Sequence, residues 1–209
     1  MNIVLLGPPG SGKGTQAEMI SADYKIPHIS TGNILRHAIE NETDLGRKAK
    51  GYMDAGELVP DDVIDGIVDE RLSYRDCNKG FILDGFPRDL HQAKALEDIR
   101  AVEYVFNIEC PDELIIKRLS KRRQCSSCGC TYHQDNKPPR KKGVCDECGE
   151  KLICRPDDEP DTIKNRLKIY HEKTEPLVEY YNRENTLITI DGGRSLDEIY
   201  GKIKEHLEP

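Results

Sequence analysis

One short segment limits the possible folds of this chain more than any other, namely residues 7–15, with the sequence GPPGSGKGT. It follows the apolar run 3–6 and precedes residues 16–20, whose composition favours a helix. This order of strand, glycine-rich turn and helix is the context in which the pattern GxxxxGK forms a phosphate-binding loop. The glycines let backbone N–H groups converge on phosphate oxygens, and the N-terminus of the helix adds its positive end. We therefore predict a phosphate-binding loop here, and the flanking elements argue against a chance glycine-rich turn.

The charged and hydroxyl side chains of this loop fit the same role. Lys13 stands where an ammonium group can reach the β- and γ-phosphates of a nucleotide. Gly14 follows the lysine, so the hydroxyl that would face a phosphate-bound Mg²⁺ comes one position later, at Thr15.

Apolar runs typical of strands alternate with helical patterns along the rest of the chain. We predict strands at residues 3–6, 28–29, 81–83, 104–108 and 187–190. The apolar residues within 63–72 and 196–207 follow the i, i+3, i+4 spacing of helices. Such alternation predicts the α/β class, with a parallel sheet of the P-loop NTPase type flanked by helices. Sheets of this kind bind ligands at the carboxyl ends of their strands.

Two segments interrupt this alternation. Residues 30–59 are polar and helical, without a strand of their own. Residues 122–158 hold six of the eight cysteines, include Pro138-Pro139, and lack helical periodicity. We interpret both as inserts near the ligand-binding edge of the sheet.

Four of these cysteines have the spacing of a metal site. Two C-x-x-C pairs are separated by sixteen residues, and a glycine follows each pair. Four thiolates close a tetrahedral shell, so the metal would be structural rather than catalytic. Zinc suits this shell, although iron can occupy the same four sulfurs, and buried free thiols are the alternative. The predicted ligands are Cys125, Cys128, Cys145 and Cys148, whereas Cys77 and Cys110 are predicted to be small core residues.

Composition excludes some classes of protein. The net charge of −7 and the pI of about 5.5 argue against a general nucleic-acid binder. No apolar run approaches the roughly 20 residues of a membrane span. The first residues lack a basic segment followed by a long apolar core, so we expect no signal peptide and a cytoplasmic location with reduced thiols.

The chain resembles the adenylate kinases almost end to end, and it is most similar to the long-insert, zinc-containing form of that family. The matching segments are 7–16, 30–32, 53–56, 83–88, 122–123 and 155–166. The resemblance implies a core of residues 1–29, 60–120 and 159–209, a nucleoside-monophosphate clamp at 30–59, and a zinc-binding lid at 121–158. It also implies the Mg²⁺-dependent reaction of ATP and AMP to give two ADP. A monomer that binds these nucleotides, and neither nucleic acid nor a membrane, is expected.

The resemblance also implies roles for single residues. The ATP phosphates would be held by Gly10, Ser11, Gly12, Lys13, Gly14 and Thr15. Further ATP contacts would come from Arg118, Arg122, Thr131, Tyr132 and Arg194. AMP would be held by Thr31, Arg36, Glu57, Leu58, Val59, Gly85, Phe86, Pro87, Arg88 and Gln92. Arg155 and Arg166 would close on the transferring phosphoryl group.

Phosphoryl transfer needs charge compensation and alignment more than covalent help. The chain offers Lys13 and five arginines, whose planar groups can each hold two phosphate oxygens: Arg36, Arg88, Arg122, Arg155 and Arg166. Mg²⁺ would bridge the β- and γ-phosphates, and Asp84, at the end of a predicted strand, is the candidate carboxylate, acting through water. The alternative is that Asp84 is only a turn residue before Gly85.

Several points stay open at this stage. Asn33 stands where similar sequences often have an acidic residue, and Asp157-Asp158 is either a support for the lid or a solvated acidic pair. The six histidines show no catalytic or metal-binding spacing and are expected to be surface or core polar residues.

The function also has alternatives. Gln92 favours adenine at the acceptor site, because its amide can pair with a base edge. The sequence does not distinguish ATP from GTP as donor, so a GTP-dependent AMP kinase or a kinase of another nucleoside monophosphate is the main alternative. A zinc-ribbon ATPase with a macromolecular partner is a further one.

Overall fold

The computed structural model describes residues 1–208, which form eight strands and nine α-helices. The strands are β1 (Asn2–Leu6), β2 (His28–Ser30), β3 (Phe81–Asp84), β4 (Tyr104–Glu109), β5 (Arg122–Cys125), β6 (Thr131–His133), β7 (Leu152–Ile153) and β8 (Leu187–Asp191). The helices are α1 (Lys13–Tyr24), α2 (Thr31–Glu40), α3 (Asp44–Ala55), α4 (Asp61–Leu72), α5 (Leu90–Ile99), α6 (Asp112–Ser120), α7 (Pro160–Ile169), α8 (Pro176–Arg183) and α9 (Leu196–Leu207). A π-helical segment, Tyr170–Thr174, joins α7 to α8, and short 3₁₀ helices lie at Arg75–Lys79 and Pro156–Asp158.

Five strands form a parallel sheet in the order β2-β3-β1-β4-β8. These are the five strands that the sequence predicts, and each is one residue longer than predicted. Val4 of β1 lies opposite Leu83 on one side and Val105 on the other. The predicted α/β class with a parallel sheet is therefore confirmed.

Both faces of this sheet are buried, as expected for a parallel sheet covered by helices. Val4 and Leu6 of β1 face a cluster formed with α2, α3, α4, α5 and α8. Ile3 and Leu5, which point the other way, face a cluster formed with α1 and α9. β1, β3 and β4 consequently read as largely apolar runs.

The first insert consists of α2 and α3, which pack very closely on each other. Thr43 caps α3 by accepting a hydrogen bond from the backbone N–H of Gly46. A Cβ atom at Gly46 would lie 2.1 Å from the carbonyl oxygen of Ala38, so only glycine fits this contact without a shift of the backbone.

The second insert forms a small antiparallel sheet in the order β6-β5-β7. The sequence did not predict these strands, which are only two to four residues long. Their interior holds Cys125, Cys145, Tyr132 and Leu152, a cluster separate from the core of the main sheet.

Among the helices of residues 1–208, none combines the length and the apolar character that a transmembrane span requires.

Candidate active site

A cleft of about 890 Å³ lies at the carboxyl ends of the parallel strands, between the sheet and the two inserts. It brings together almost every residue that the sequence predicts to bind nucleotide. The lining includes Gly10, Ser11, Gly12, Lys13, Gly14, Thr15, Thr31, Arg36, Glu57, Leu58, Val59, Asp84, Gly85, Pro87, Arg88, Gln92, Arg118, Arg122, Thr131, Tyr132, Arg155, Arg166 and Arg194. Phe86 is not part of the lining, because its side chain is fully buried in the core beneath the cleft.

The phosphate-binding loop connects β1 to α1, as predicted. Gly7, Gly10 and Gly12 adopt positive φ angles of 133°, 83° and 107°, conformations that L side chains rarely adopt. Gly12 precedes α1 as its N-cap and offers no side chain to the first N–H groups of the helix. These donors therefore remain available to an anion at the positive end of the helix.

Lys13 is held by the loop itself. Its Nζ donates hydrogen bonds to the carbonyl oxygens of Gly7, at 2.7 Å, and Pro8, at 2.8 Å. Burial lowers the pKa of Lys13 to about 8, although the charge of Asp84 acts to raise it. The ammonium group is thus oriented before a nucleotide arrives.

Asp84 ends β3 inside the cleft. His28 Nε2 lies 3.5 Å from Asp84 Oδ2, and a Cβ atom at Gly14 would lie 3.4 Å from the same oxygen. Burial acts to raise the pKa of Asp84, but His28 and the charge of Lys13 outweigh it and hold this pKa at about 2. An ionised carboxylate beside the phosphate-binding loop fits the ligand chemistry of Mg²⁺, which prefers carboxylate and water oxygens.

Two of the arginines share one buried carboxylate. Asp158, whose side chain is fully buried, accepts a 2.8 Å hydrogen bond from Arg122 Nε and a 3.3 Å contact from Arg166 Nη1. Asp157 Oδ2 lies 2.9 Å from Arg166 Nη1. Of the two readings of Asp157-Asp158, the structure therefore favours support of the arginines over a solvated pair.

The other three arginines reach the cleft with few acidic partners. Arg155 donates to Thr131 Oγ1 at 3.0 Å, Arg36 to Asn33 Oδ1 at 2.6 Å, and Arg88 to the carbonyl of Gly85 at 2.8 Å.

Electrostatics around these arginines favour an anionic ligand. The buried Nε atoms of Arg36 and Arg155 have no hydrogen-bond partner among the described residues. Burial, and then the charges of Arg122 and Arg36, lower the pKa of Arg155. Burial likewise lowers the pKa of Arg88, although Asp84 acts to raise it. A crowded group of cations is stabilised by polyphosphate oxygens, which accept two hydrogen bonds from each guanidinium group.

Gln92 lines the cleft within a network of hydrogen bonds. Its Oε1 accepts from the backbone N–H of Arg88 at 2.8 Å, and its Nε2 donates to Asp61 Oδ1 at 2.7 Å. Nearby, Thr31 Oγ1 donates to the carbonyl of Gly85 at 2.8 Å. These contacts join the starts of α2, α4 and α5 around one polar pocket.

The two residues predicted to border the ATP adenine, Arg118 and Arg194, also line the cleft. Arg118 Nη1 is 3.4 Å from the carbonyl oxygen of Ser11, and Arg194 pairs with Asp191 at 3.5 Å. Tyr132 lines the cleft, but its hydroxyl lies 3.4 Å from the Sγ of Cys145, so its polar end faces the cysteines.

The four predicted metal ligands converge as the spacing indicates. Their sulfur atoms all lie within 4.8 Å of one another. The closest approaches are 3.3 Å between Cys125 and Cys148 and 3.5 Å from Cys128 to both Cys145 and Cys148. Gly129 and Gly149 turn the chain after each pair with positive φ angles of 73° and 80°. The donor set fits a closed tetrahedral site for a soft or borderline metal such as zinc.

The remaining cysteines behave differently. Cys77 and Cys110 are buried in the core regions, as predicted, whereas Cys154 is exposed. None of the eight cysteines forms a disulfide.

Some residues of the site were not found from the sequence. His28 was expected to be an ordinary polar residue, yet it contacts Asp84. Asp61 contacts Gln92, and Thr174 donates to the carbonyl oxygen of Arg88 at 2.7 Å. The only available signal for His28 was its place at the start of a predicted strand, which brings it to the neighbouring strand β3.

Comparison with known proteins gives a consistent result. A family model described as adenylate kinase matches residues 5–186. The chain is similar to the adenylate kinase of Lachnospira eligens, at 51% identity over 208 residues that cover 97% of this chain and 98% of that protein. It is also similar to the adenylate kinases of Archaeoglobus fulgidus, at 47% identity with 100% and 98% covered, and Bacillus pumilus, at 50% identity with 99% and 98% covered.

Proposed function

Since the chain belongs to the adenylate kinase family, we propose that its cleft transfers a phosphoryl group reversibly from Mg²⁺-bound ATP to AMP and so forms two ADP. The protein is a nucleotide-binding phosphotransferase. One observation carries the assignment of the cleft: Lys13 and all five candidate arginines line the same space as the phosphate-binding loop.

For ATP, we propose that the loop holds the phosphates while Arg118 and Arg194 border the adenine. The backbone N–H groups at the start of α1 would contact phosphate oxygens, and Lys13 would move from its carbonyl partners to the β- and γ-phosphates. Bound with ATP, Mg²⁺ would neutralise part of the phosphate charge. Asp84, through water, and Thr15 are the side chains that would face this ion.

For AMP, we propose that the phosphate is bound by Arg36 and Arg88 and the base by Gln92. Residues 57–59, which line the cleft between α3 and α4, would enclose the base, with their backbone as the contact. Phe86 would contribute only through its backbone, since its side chain belongs to the core.

Transfer itself needs the two nucleotides to be aligned and the charge on the moving group to be balanced. We propose that Arg122, Arg155 and Arg166 perform this task. Asp158 would set the positions of Arg122 and Arg166. Asp158 thereby links Arg122 of β5 to Arg166 of α7.

We propose that residues 30–59 are the clamp for AMP and residues 121–158 a lid over ATP. A structural Zn²⁺ bound by the four cysteines would hold the lid together, since its sheet is too small to build a large core. Because no disulfide joins any of the eight cysteines, a reducing cytoplasmic location fits the chain, and we expect a monomer.

A coupled assay of several nucleoside monophosphates against ATP and GTP tests the proposal. We expect AMP to be the preferred acceptor and ATP the preferred donor, with activity that requires Mg²⁺. Preference for GTP would change the donor assignment, and preference for another monophosphate would refute the proposed role of Gln92. Single- and double-stranded nucleic acids should not bind.

A further inference from the structure

We propose that Asp61 fixes the orientation of the Gln92 carboxamide and thereby makes the acceptor site select adenine over 6-oxopurines. This inference rests on the proposed function, in which Gln92 contacts the base of the acceptor nucleotide. Asp61 would act as a positioning residue, because it would touch Gln92 rather than the nucleotide.

Both polar atoms of the Gln92 carboxamide have hydrogen-bond partners in the protein. Gln92 is only 2% exposed, so each of its polar atoms needs a partner within the protein or the ligand. The oxygen accepts from the N–H of Arg88, a group that can only donate, and the nitrogen donates to Asp61, which as a carboxylate can only accept.

These two partners allow only one amide orientation. If the carboxamide turned by 180°, its oxygen would face the carboxylate of Asp61 and its NH₂ group would face the N–H of Arg88. Both contacts would then be repulsive, and a charge-assisted hydrogen bond would be lost. On its other side, Asp61 Oδ2 lies 3.8 Å from His91 Nδ1, which is beyond hydrogen-bond distance.

The fixed amide has one free donor and one free acceptor. The NH₂ group keeps a second hydrogen and the oxygen keeps a second lone pair, and both can face a base. Adenine offers a donor at its 6-amino group beside an acceptor at N1, which matches this pair. A 6-oxopurine offers an acceptor at O6 beside a donor at N1, so it would require the turned amide that Asp61 opposes.

The experiment measures kcat/KM for AMP and for IMP, which differ at position 6 and at the N1 proton. Asp61→Asn keeps the shape of the side chain, but its amide can either accept a hydrogen bond from Gln92 or donate one to it. We therefore expect the AMP:IMP ratio of kcat/KM to fall by about tenfold or more, which corresponds to the loss of a hydrogen bond to a charged group. Asp61→Ser should act in the same direction and serves as a second variant if Asp61→Asn does not fold. Asp62→Asn is the matched control, because Asp62 is an exposed carboxylate in the same turn of α4. Its ratio should equal that of the unmodified protein.

The outcomes separate this inference from the function on which it rests. Equal use of AMP and IMP by the unmodified protein, or an unchanged KM for AMP in Gln92→Ala, would show that the acceptor assignment is wrong. If the unmodified protein prefers AMP to IMP and Gln92→Ala raises the KM for AMP, the acceptor assignment stands. If the folded Asp61 variants then keep the original AMP:IMP ratio of kcat/KM, only the inference fails. An equal loss of activity on AMP and IMP would also overturn it, since general structural support would produce that result.

Discussion

At the scale of single residues, the fold positions the charge of Lys13 against two carbonyl oxygens and one carboxylate. We expect Lys13→Met to lower kcat by at least about 10²–10³-fold, because the ammonium group stabilises charge that develops during transfer. Steady-state kinetics check this against Lys48→Met, which removes an exposed lysine from α3. Near-normal turnover in Lys13→Met would contradict the assignment.

The lowered pKa of Lys13 predicts a pH dependence. Its cationic form is lost as the pH rises through about 8, so kcat/KM for ATP should fall above that pH. In the nucleotide complex, the phosphate charges should raise this pKa, and kcat should therefore decline only at higher pH. Parallel pH profiles of kcat/KM and kcat test the prediction, and coincident profiles would contradict it.

The sequence identifies the residues whose local pattern carries information, and it misses those that depend on distant partners. Lys13 follows from GxxxxGK, and Asp84 follows from its place at the end of an apolar strand. Asp61 is separated by 31 residues from Gln92, and His28 contacts Asp84 only because β2 pairs with β3. No pattern within either segment specifies those pairings.

At the scale of elements, the contact between α2 and α3 gives a test of the proposed clamp. Gly46→Ala should force the helices apart, because its Cβ would lie 2.1 Å from the carbonyl oxygen of Ala38. Overpacking of this kind costs about 1–3 kcal/mol, and we expect KM for AMP to rise more than KM for ATP. Gly51→Ala, in the same helix, is the control, since a Cβ there meets nothing within 4 Å. Equal behaviour of the two variants would count against the close contact.

The cysteine cluster predicts one bound metal ion per chain, which elemental analysis of the purified protein can measure. Removing the ion should lower the thermal midpoint, whereas phosphoryl transfer at low temperature should persist because four thiolates leave no position for substrate. Cys125→Ser should lose the ion, and Cys154→Ser, which changes an exposed thiol outside the cluster, should keep it. A folded, metal-free protein without activity would contradict a purely structural role.

Elements differ in how much of their structure the sequence specifies. Three of the five strands of the parallel sheet, β1, β3 and β4, are predicted because burial on both faces gives largely apolar runs. The strands β5, β6 and β7 are too short for an alternating pattern, and their interior consists largely of cysteines. Hydrophobic periodicity therefore does not predict them.

At the scale of the whole molecule, the cleft lies between parts that we expect to move. Besides the contacts of Asp157 and Asp158 with Arg166, the second insert contacts the core through Lys137, whose Nζ lies 2.9 Å from Glu18 of α1. A mimic that joins both adenosines should close the lid and the clamp together, so that water is excluded from the transferring group. Labels at Lys137 and Asp44 should come closer when the mimic is saturating. An unchanged label distance would rule out the proposed lid.

The link between Arg122 and Asp158 has a consequence for the path of the chain. These residues stand at the two ends of the second insert and are 36 positions apart in sequence, yet their side chains are hydrogen-bonded. The two ends of the insert therefore lie side by side. We therefore expect residues gained or lost inside the insert to leave the distance between its ends, and the pairing of β4 with β8, unchanged. Among the described residues, the second insert is a place where we expect the chain to vary in length without altering the order of the central strands.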